Sequence, residues 1–297
     1  MAKRIGLFLL TNLLVILVVT AIFQIFGIGR YTTQHGIDYP QLMIFCLVWG
    51  MAGSFISLAM SRWIAKKFMK VQLIDPDTSD PRAREMLQTV GRLAEAANIP
   101  MPEVGVYPSD EVNAFATGPS KSRSLVAVSM GMLQRMRREE VEGVLGHEIA
   151  HIANGDMVTM TLLQGVINAF VMFMARVIAF GIDQALKDRN NGRGLGFMGQ
   201  FAVIMVLQTV FMALGMIVIA AFSRYREYRA DAGSARLAGR EKMISALEAL
   251  KGTVELVETQ SDRSVATMKI AGGGFKSLWA THPPLDERIE RLRNFQG

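Results

Sequence analysis

The chain is poor in cysteine, in charge and in histidine. One cysteine, Cys46, among 297 residues leaves no intrachain disulfide to form, so a reducing compartment suits the protein and the thiol reads as packing. Charged side chains make up 20% of the residues against 51% hydrophobic, too little polar surface for a soluble domain of this length. The scarcity is concentrated. Residues 5–28, 40–60 and 197–222 contain no charged side chain, and residues 157–182 contain only Arg176. There is no internal repeat. The net charge of +6 comes without a nucleic-acid-binding motif, and attraction to anionic headgroups accounts for the basic residues beside the apolar runs.

Each of the four runs is long enough to cross a hydrocarbon core of roughly 30 Å as a helix. A helix is required there because lipid offers no partner to free N–H and C=O groups. The first run follows Lys3 and Arg4, as a signal peptide would. It is too long for such a segment and no small-residue cleavage site closes it, so it is expected to be an uncleaved anchor. Basic residues set the orientation. Lys3 and Arg4 precede the first run, Arg62, Lys66, Lys67 and Lys70 follow the second, and only Arg30 lies between. Both ends of this hairpin are expected in the cytoplasm. Arg135, Arg137 and Arg138, with Arg224, Arg226 and Arg229, flank the second hairpin and agree. Lys187, Arg189 and Arg193 between its two runs weaken the argument and leave those runs readable as shallow or partly re-entrant. The C-terminal part stays on the same side either way. Arg176 must snorkel or find a partner, and His35, in the non-cytoplasmic loop, carries no assigned role.

The expected organisation is a transmembrane hairpin (1–60), a polar part (61–156), a second hairpin (157–222) and a second polar part (223–297). Apolar spacing predicts a helix over 82–98, started by Asp80-Pro81. Short Val-, Ala- and Phe-rich tracts at 103–107, 113–117 and 124–129, parted by turn residues, predict a small antiparallel sheet. Helix returns from Arg138 to a stop at Asn154-Gly155. Further helices are expected over 223–237, 240–251 and 284–294, with a loose stretch over 252–281 around Gly272-Gly273-Gly274. The polar parts together are α+β, assembled from two segments on either side of a membrane hairpin.

Two of the four histidines fall in one helical turn, His147-Glu148-Ile149-Ala150-His151. Residues four apart share a helix face, so both imidazoles can reach one metal ion. Glu148, one residue round, can take a proton from metal-bound water. The stretch REEVEGVLGHEIAHIAN supplies the helix that the pattern needs. Catalytic zinc takes three protein ligands and one open position. With no further histidine nearby and the cysteine inside an apolar run, carboxylates remain. Glu227 leaves the fourth run on a helix as the His147 helix enters the third, which makes it a candidate. It reads equally well as the solvated start of a charged helix among Arg224, Arg226 and Arg229. Asp231, one turn on, can hold a ligand imidazole by its free N–H.

HEIAHIANGD, NAFATG, SRYREYRADAGSARLAGREKMI and THPPLDERI, in this order and with the opening MAKRIGLFLLTNL, resemble the HtpX heat-shock proteases, bacterial inner-membrane relatives of the CAAX prenyl proteases. The resemblance covers essentially the whole chain. With the four transmembrane helices expected from the apolar runs, it implies a zincin-like (gluzincin) cytoplasmic protease domain with one Zn2+ per chain, and the clearing of misfolded or damaged membrane proteins. It implies Glu227 as third ligand, because EYRAD stands where the family has its ExxxD pair. Asn154 and Asp156 match the pattern after the second histidine, as helix stop, support for a ligand, or both. Asn113, Ala114, Phe115 and Ala116 resemble the family's substrate-binding edge strand, where main-chain bonds suit broad specificity. His282 is implied as a donor to the oxyanion, with Arg229 a second candidate for that charge or a partner of Asp231.

A transporter would need ionisable residues within the apolar runs, where Arg176 is nearly alone. A metal-binding scaffold without catalysis would have no use for Glu148. A prenyl-protein protease would need a larger intramembrane chamber than four runs build. The expected enzyme is a zinc endopeptidase, and a protease that cuts unfolded chains is expected to cut itself once its membrane is dissolved by detergent.

Overall fold

The computed structural model describes residues 36–265 and 281–295, with positions 17, 18, 21, 24, 32 and 33. The first apolar run, apart from four of these positions, lies outside the described residues, as do His35 and Gly272-Gly273-Gly274. Two compact units divide the chain. One takes residues up to Leu58 with Met160–Ile219, and the other takes Ala59–Thr159 with the chain from Ala220 onward.

The first unit is built from long helices. Helix α1 spans Tyr39–Phe68, and a later pair, α5 over Asp156–Arg189 and α6 over Gly196–Ser234, follows the residues of the second unit. Among the described residues three helices are long and apolar enough to cross a membrane: α1, α5 and the stretch Gly196–Thr253 that contains α6. Neither α5 nor α6 is interrupted. Small residues let the backbones approach, as membrane helices without a hydrophobic driving force require. A Cβ at Gly50 would lie 2.5 Å from the Ala169 nitrogen. Outward faces stay apolar, with Phe197 83% exposed. Arg176 finds its partners within this unit. Its guanidinium donates to the Met172 carbonyl at 3.1 Å and sits 5.5 Å from the centre of the Phe45 ring.

The second unit holds a four-stranded sheet in the order β3-β4-β6-β5, where β3 is Gln72–Leu73, β4 Glu103–Tyr107, β5 Ala114–Ser120 and β6 Arg123–Ser129. (β1 and β2 are a two-residue pair at Thr32–Thr33 and Gly36–Ile37 of the first unit.) The sheet is mixed rather than antiparallel as the sequence predicts. The turn after β5 returns β6 between β5 and β4, so β6 runs antiparallel to β5 and parallel to β4. The sequence of β6 explains its central place. Ser124–Ser129 is buried throughout, and a strand covered on both faces reads as a continuous apolar run rather than an alternation.

Helix α2, Pro81–Ala96, starts where Asp80 accepts from the Arg82 N–H at 3.0 Å, with Pro81 in its first turn. Helix α3 is the short Met130–Arg135. Helix α4, Arg138–Asn154, opens with Glu140 accepting from the Arg137 N–H at 2.7 Å and stops at Gly155, whose φ of 71° suits glycine. Val90 and Leu93 of α2, Val126 and Val128 of β6, and Leu145, Ile149 and Ile152 of α4 meet in one core. Beyond the apolar stretch, α6 runs without a break to Ser234, so the helix expected over 223–237 is its continuation. A π turn, Ala235–Gly239, leads into α7, Arg240–Val265. The stretch 252–265, expected to be loose, is therefore helical. Gly252 stands alone there, and a single glycine costs a helix only about 1 kcal/mol. Helix α8, Leu285–Arg293, packs Ile289 and Leu292 on Met243 and Leu247 of α7.

Candidate metal centre

Close packing of α4 against the tail of α6 creates the site. A Cβ at Gly146 would lie 2.8 Å from Ser234 Oγ, and one at Gly233 would lie 2.5 Å from the Ala150 Cβ. Ser234 Oγ donates to the Gly143 carbonyl at 2.7 Å, locking the crossing. Only helices with small residues here can bring Glu227 of α6 onto the histidine face of α4.

His147 Nε2 and His151 Nε2 are 3.0 Å apart, and Glu227 oxygens lie 3.5 Å from the first and 3.4 Å from the second. All three side chains are buried. Each ring is held from behind by a carboxylate. His151 Nδ1 donates to Asp156 Oδ2 at 2.6 Å. His147 Nδ1 lies 2.9 Å from Asp231 Oδ1, a charge contact in which the ring N–H is not aligned for a full hydrogen bond. These contacts keep a proton on each Nδ1 and aim the Nε2 lone pairs at a common point. A tetrahedral ion with bonds of about 2.0–2.1 Å separates its ligand atoms by roughly 3.3 Å, close to the spacings found. Among the described residues this is the one group of histidine, cysteine or acidic side chains able to share an ion.

The charge balance points the same way. Glu148, Asp156, Glu227 and Asp231 are four carboxylates. Against them stand two guanidiniums: Arg288, bound to Asp231, and Arg226, 3.4 Å from Glu227. The acidic groups around the rings outnumber the guanidiniums that pair with them, which suits a cation. Without one, the centre draws in protons. Burial opposes a charge on His147, but Asp231 and Glu227 outweigh it and hold the ring up at about 9. Burial likewise opposes His151, and Asp156 and Glu227 raise it. Glu227 is held far below the carboxylate range despite its burial, because His147, His151 and His282 all face it.

The other expected residues fall around this core. Glu148 is half-buried and, among the described residues, enters no ion pair. His282 Nδ1 reaches Glu227 Oε2 at 3.1 Å while its side chain is 64% exposed. Arg229 does not pair with Asp231. It donates to Asn154 Oδ1 at 3.3 Å, because Asp231 is already taken by Arg288. Edge strand β5 packs against α4 through Ala114 and Ala116, while Phe115 turns to Tyr107 on the other face of the sheet. Asn113 precedes the strand, with its carbonyl accepting from the Ser129 N–H at 2.9 Å. Arg288 was not anticipated. Its signal was present, since Leu285, Arg288, Ile289 and Leu292 fall at the spacing of one buried helix face, and an arginine there demands a carboxylate.

A model of Peptidase family M48 matches residues 80–296. The chain is 50% identical to the Protease HtpX homolog of Bacillus velezensis, over 98% of this chain and 99% of that protein. It is 48% identical to the Protease HtpX of Cellvibrio japonicus, over 98% of each. The crystal structure of S. mikatae Ste24p has the same fold, with a TM-score of 0.64 at 17% identity over 98% of this chain and 67% of that one. With this match over most of its length, and a buried donor cluster inside the matched region, the chain belongs to peptidase family M48, among the HtpX proteases, and is a metalloprotease with helices fit to span a membrane.

Proposed function

We propose that the chain is a zinc-dependent endopeptidase of a bacterial inner membrane, cutting misfolded or damaged membrane proteins at the cytoplasmic face. The two polar parts, 61–156 and 223–297, form its protease domain and the hairpins 1–60 and 157–222 its anchor, with both termini cytoplasmic. The observation that carries this reading is the convergence of His147, His151 and Glu227, with Glu148 on the same helical turn as the histidines. Two imidazoles and a carboxylate are a donor set for catalytic zinc. Bound there, the metal supplies Lewis acidity and makes water a nucleophile at neutral pH.

The chain's own residues do the rest. Asp156 and Asp231 fix the tautomer and orientation of the rings. Glu148, about 100° round the helix from His147, takes the proton of the attacking water and returns it to the leaving amine. His282, held beside Glu227 at 3.1 Å, is the candidate N–H donor to the oxyanion. Arg229 and Asn154 tie the end of α4 to α6. Strand β5 holds the substrate. Because the Asn113 carbonyl faces β6, the alternation of antiparallel pairing turns the main-chain groups of Ala114 and Ala116 outward, free to bind an extended peptide. Contacts to main chain suit a protease of broad specificity.

Replacing Glu148 by Gln tests the reading. Cleavage of an unstructured substrate is expected to fall by about 10²–10⁴-fold with metal content unchanged, and self-fragmentation in detergent should stop. Normal turnover by this variant would remove Glu148 from the mechanism.

A further inference from the structure

Helix α8 presents Arg288 and Arg291 to the turn of α6 that carries Glu227 and Asp231. Arg288 is 7% exposed. Its Nε donates to Asp231 Oδ2 at 2.8 Å and a terminal nitrogen donates to Oδ1 at 2.6 Å, a bidentate pair. The other terminal nitrogen lies 3.8 Å from Glu227 Oε2. Arg291 does something different, stacking 3.8 Å over the ring of Tyr228. One guanidinium therefore touches both the carboxylate behind His147 and the carboxylate that completes the donor set.

Glu227 and Asp231 are four apart on α6, where like charges repel, and both are buried. A buried charge stripped of its partner is costly. Without Arg288, Asp231 would have only the poorly aligned His147 ring to lean on, and the two carboxylates would push apart. We infer that Arg288 is a positioning residue of the metal centre, acting through Asp231 and Glu227 to hold His147 and the third donor where one ion can take both. The inference rests on the metal reading above. It makes α8 part of the centre, although it supplies no ligand. Lysine cannot replace arginine here, because a point charge does not make two parallel bonds to one carboxylate.

The test is zinc affinity, measured by competition with a chromophoric chelator on the full-length protein in detergent, with Glu148→Gln present throughout to prevent self-cleavage. Arg288→Met is expected to weaken zinc binding by about 10–100-fold, and Arg288→Lys should recover only part of that. Arg291→Met, which loosens the same helix but touches neither carboxylate, should leave affinity unchanged. In an Asp231→Asn background the effect of Arg288→Met should shrink, since its main route is gone. Circular dichroism establishes which variants fold. If Arg288→Met does not fold, Arg288→Lys carries the test. Unchanged zinc affinity in the folded Arg288 variant, or equal losses at Arg288 and Arg291, overturns the inference. Glu227→Ala separates this from the metal reading. If that variant binds zinc as tightly as its parent, the donor assignment itself is wrong.

Discussion

Charge is handled in opposite ways in the two units. In the membrane unit, the ion pairs and hydrogen bonds of charged groups stay close in sequence, and only the ring contact of Arg176 with Phe45 reaches another helix. Arg176 donates to the carbonyl one turn back on its own helix, and Asp183 pairs with Lys187 four residues on and accepts from the Leu195 N–H at 2.7 Å. In the other unit, buried charges meet across long stretches of chain. Arg288 and Asp231 are 57 residues apart, and Ser245 and Glu140 are 105 apart. A local pair asks only that one helix form. A long-range pair asks that several elements be placed together, which is the condition for a site. The comparison teaches that the working part of this molecule is where buried charge depends on tertiary structure.

Metal removal should sharpen this contrast most. A ligand present at a thousand times its Kd stabilises the state that binds it by about 4 kcal/mol. Chelation should therefore speed amide hydrogen exchange in α4 and in the 223–234 stretch of α6, and leave residues 160–180 of α5 unchanged. Equal acceleration in both units would break the comparison.

Acidity should give the next largest effect. His147 is held up at about 9 in the folded protein, against an ordinary value of 6.5. The folded state of the metal-free protein thus binds the proton more tightly than the unfolded state does. The stability this contributes is fully present below about 6.5 and is lost as pH rises through about 9. Metal binding runs the other way, because the ion must displace that proton. Zinc affinity should rise with pH across the same window, about tenfold per pH unit for each proton displaced. A flat affinity profile would mean that the centre holds no proton where the metal belongs.

How much of this was legible in the sequence follows the same division. The apolar runs, the ends of α2 and α4, and the histidine turn are local features, set by caps, by Gly155 and by helical spacing. The reach from Glu227 to the histidines was only a candidate on spacing alone, because the closeness of α4 and α6 depends on Gly146 meeting Ser234 and on Gly233 meeting Ala150. The parallel pairing of β4 with β6 was missed because three short apolar tracts do not reveal which lies in the middle. Arg288 was missed because its partner lies on another helix. Arg229, though nearer in sequence to Asp231, pairs with Asn154 instead.

The smallest effect should come from Arg176, the one charge in the spans that the sequence marked as costly. Its cation–π contact is worth about 0.5–2 kcal/mol, but leucine would end the cost of keeping a guanidinium at membrane depth. The two terms oppose each other, so Arg176→Leu should change thermal stability in detergent by no more than about 1 kcal/mol and leave zinc affinity untouched. Arg288→Met should cost metal affinity heavily although Arg288 lies in the other unit and has no role in the membrane. The pair of substitutions asks one question of each region: what a single arginine does there. If Arg176→Leu lowered zinc affinity as Arg288→Met is expected to, local pairing would not isolate the membrane unit's charge from the site, and the distinction between the two regions would fail.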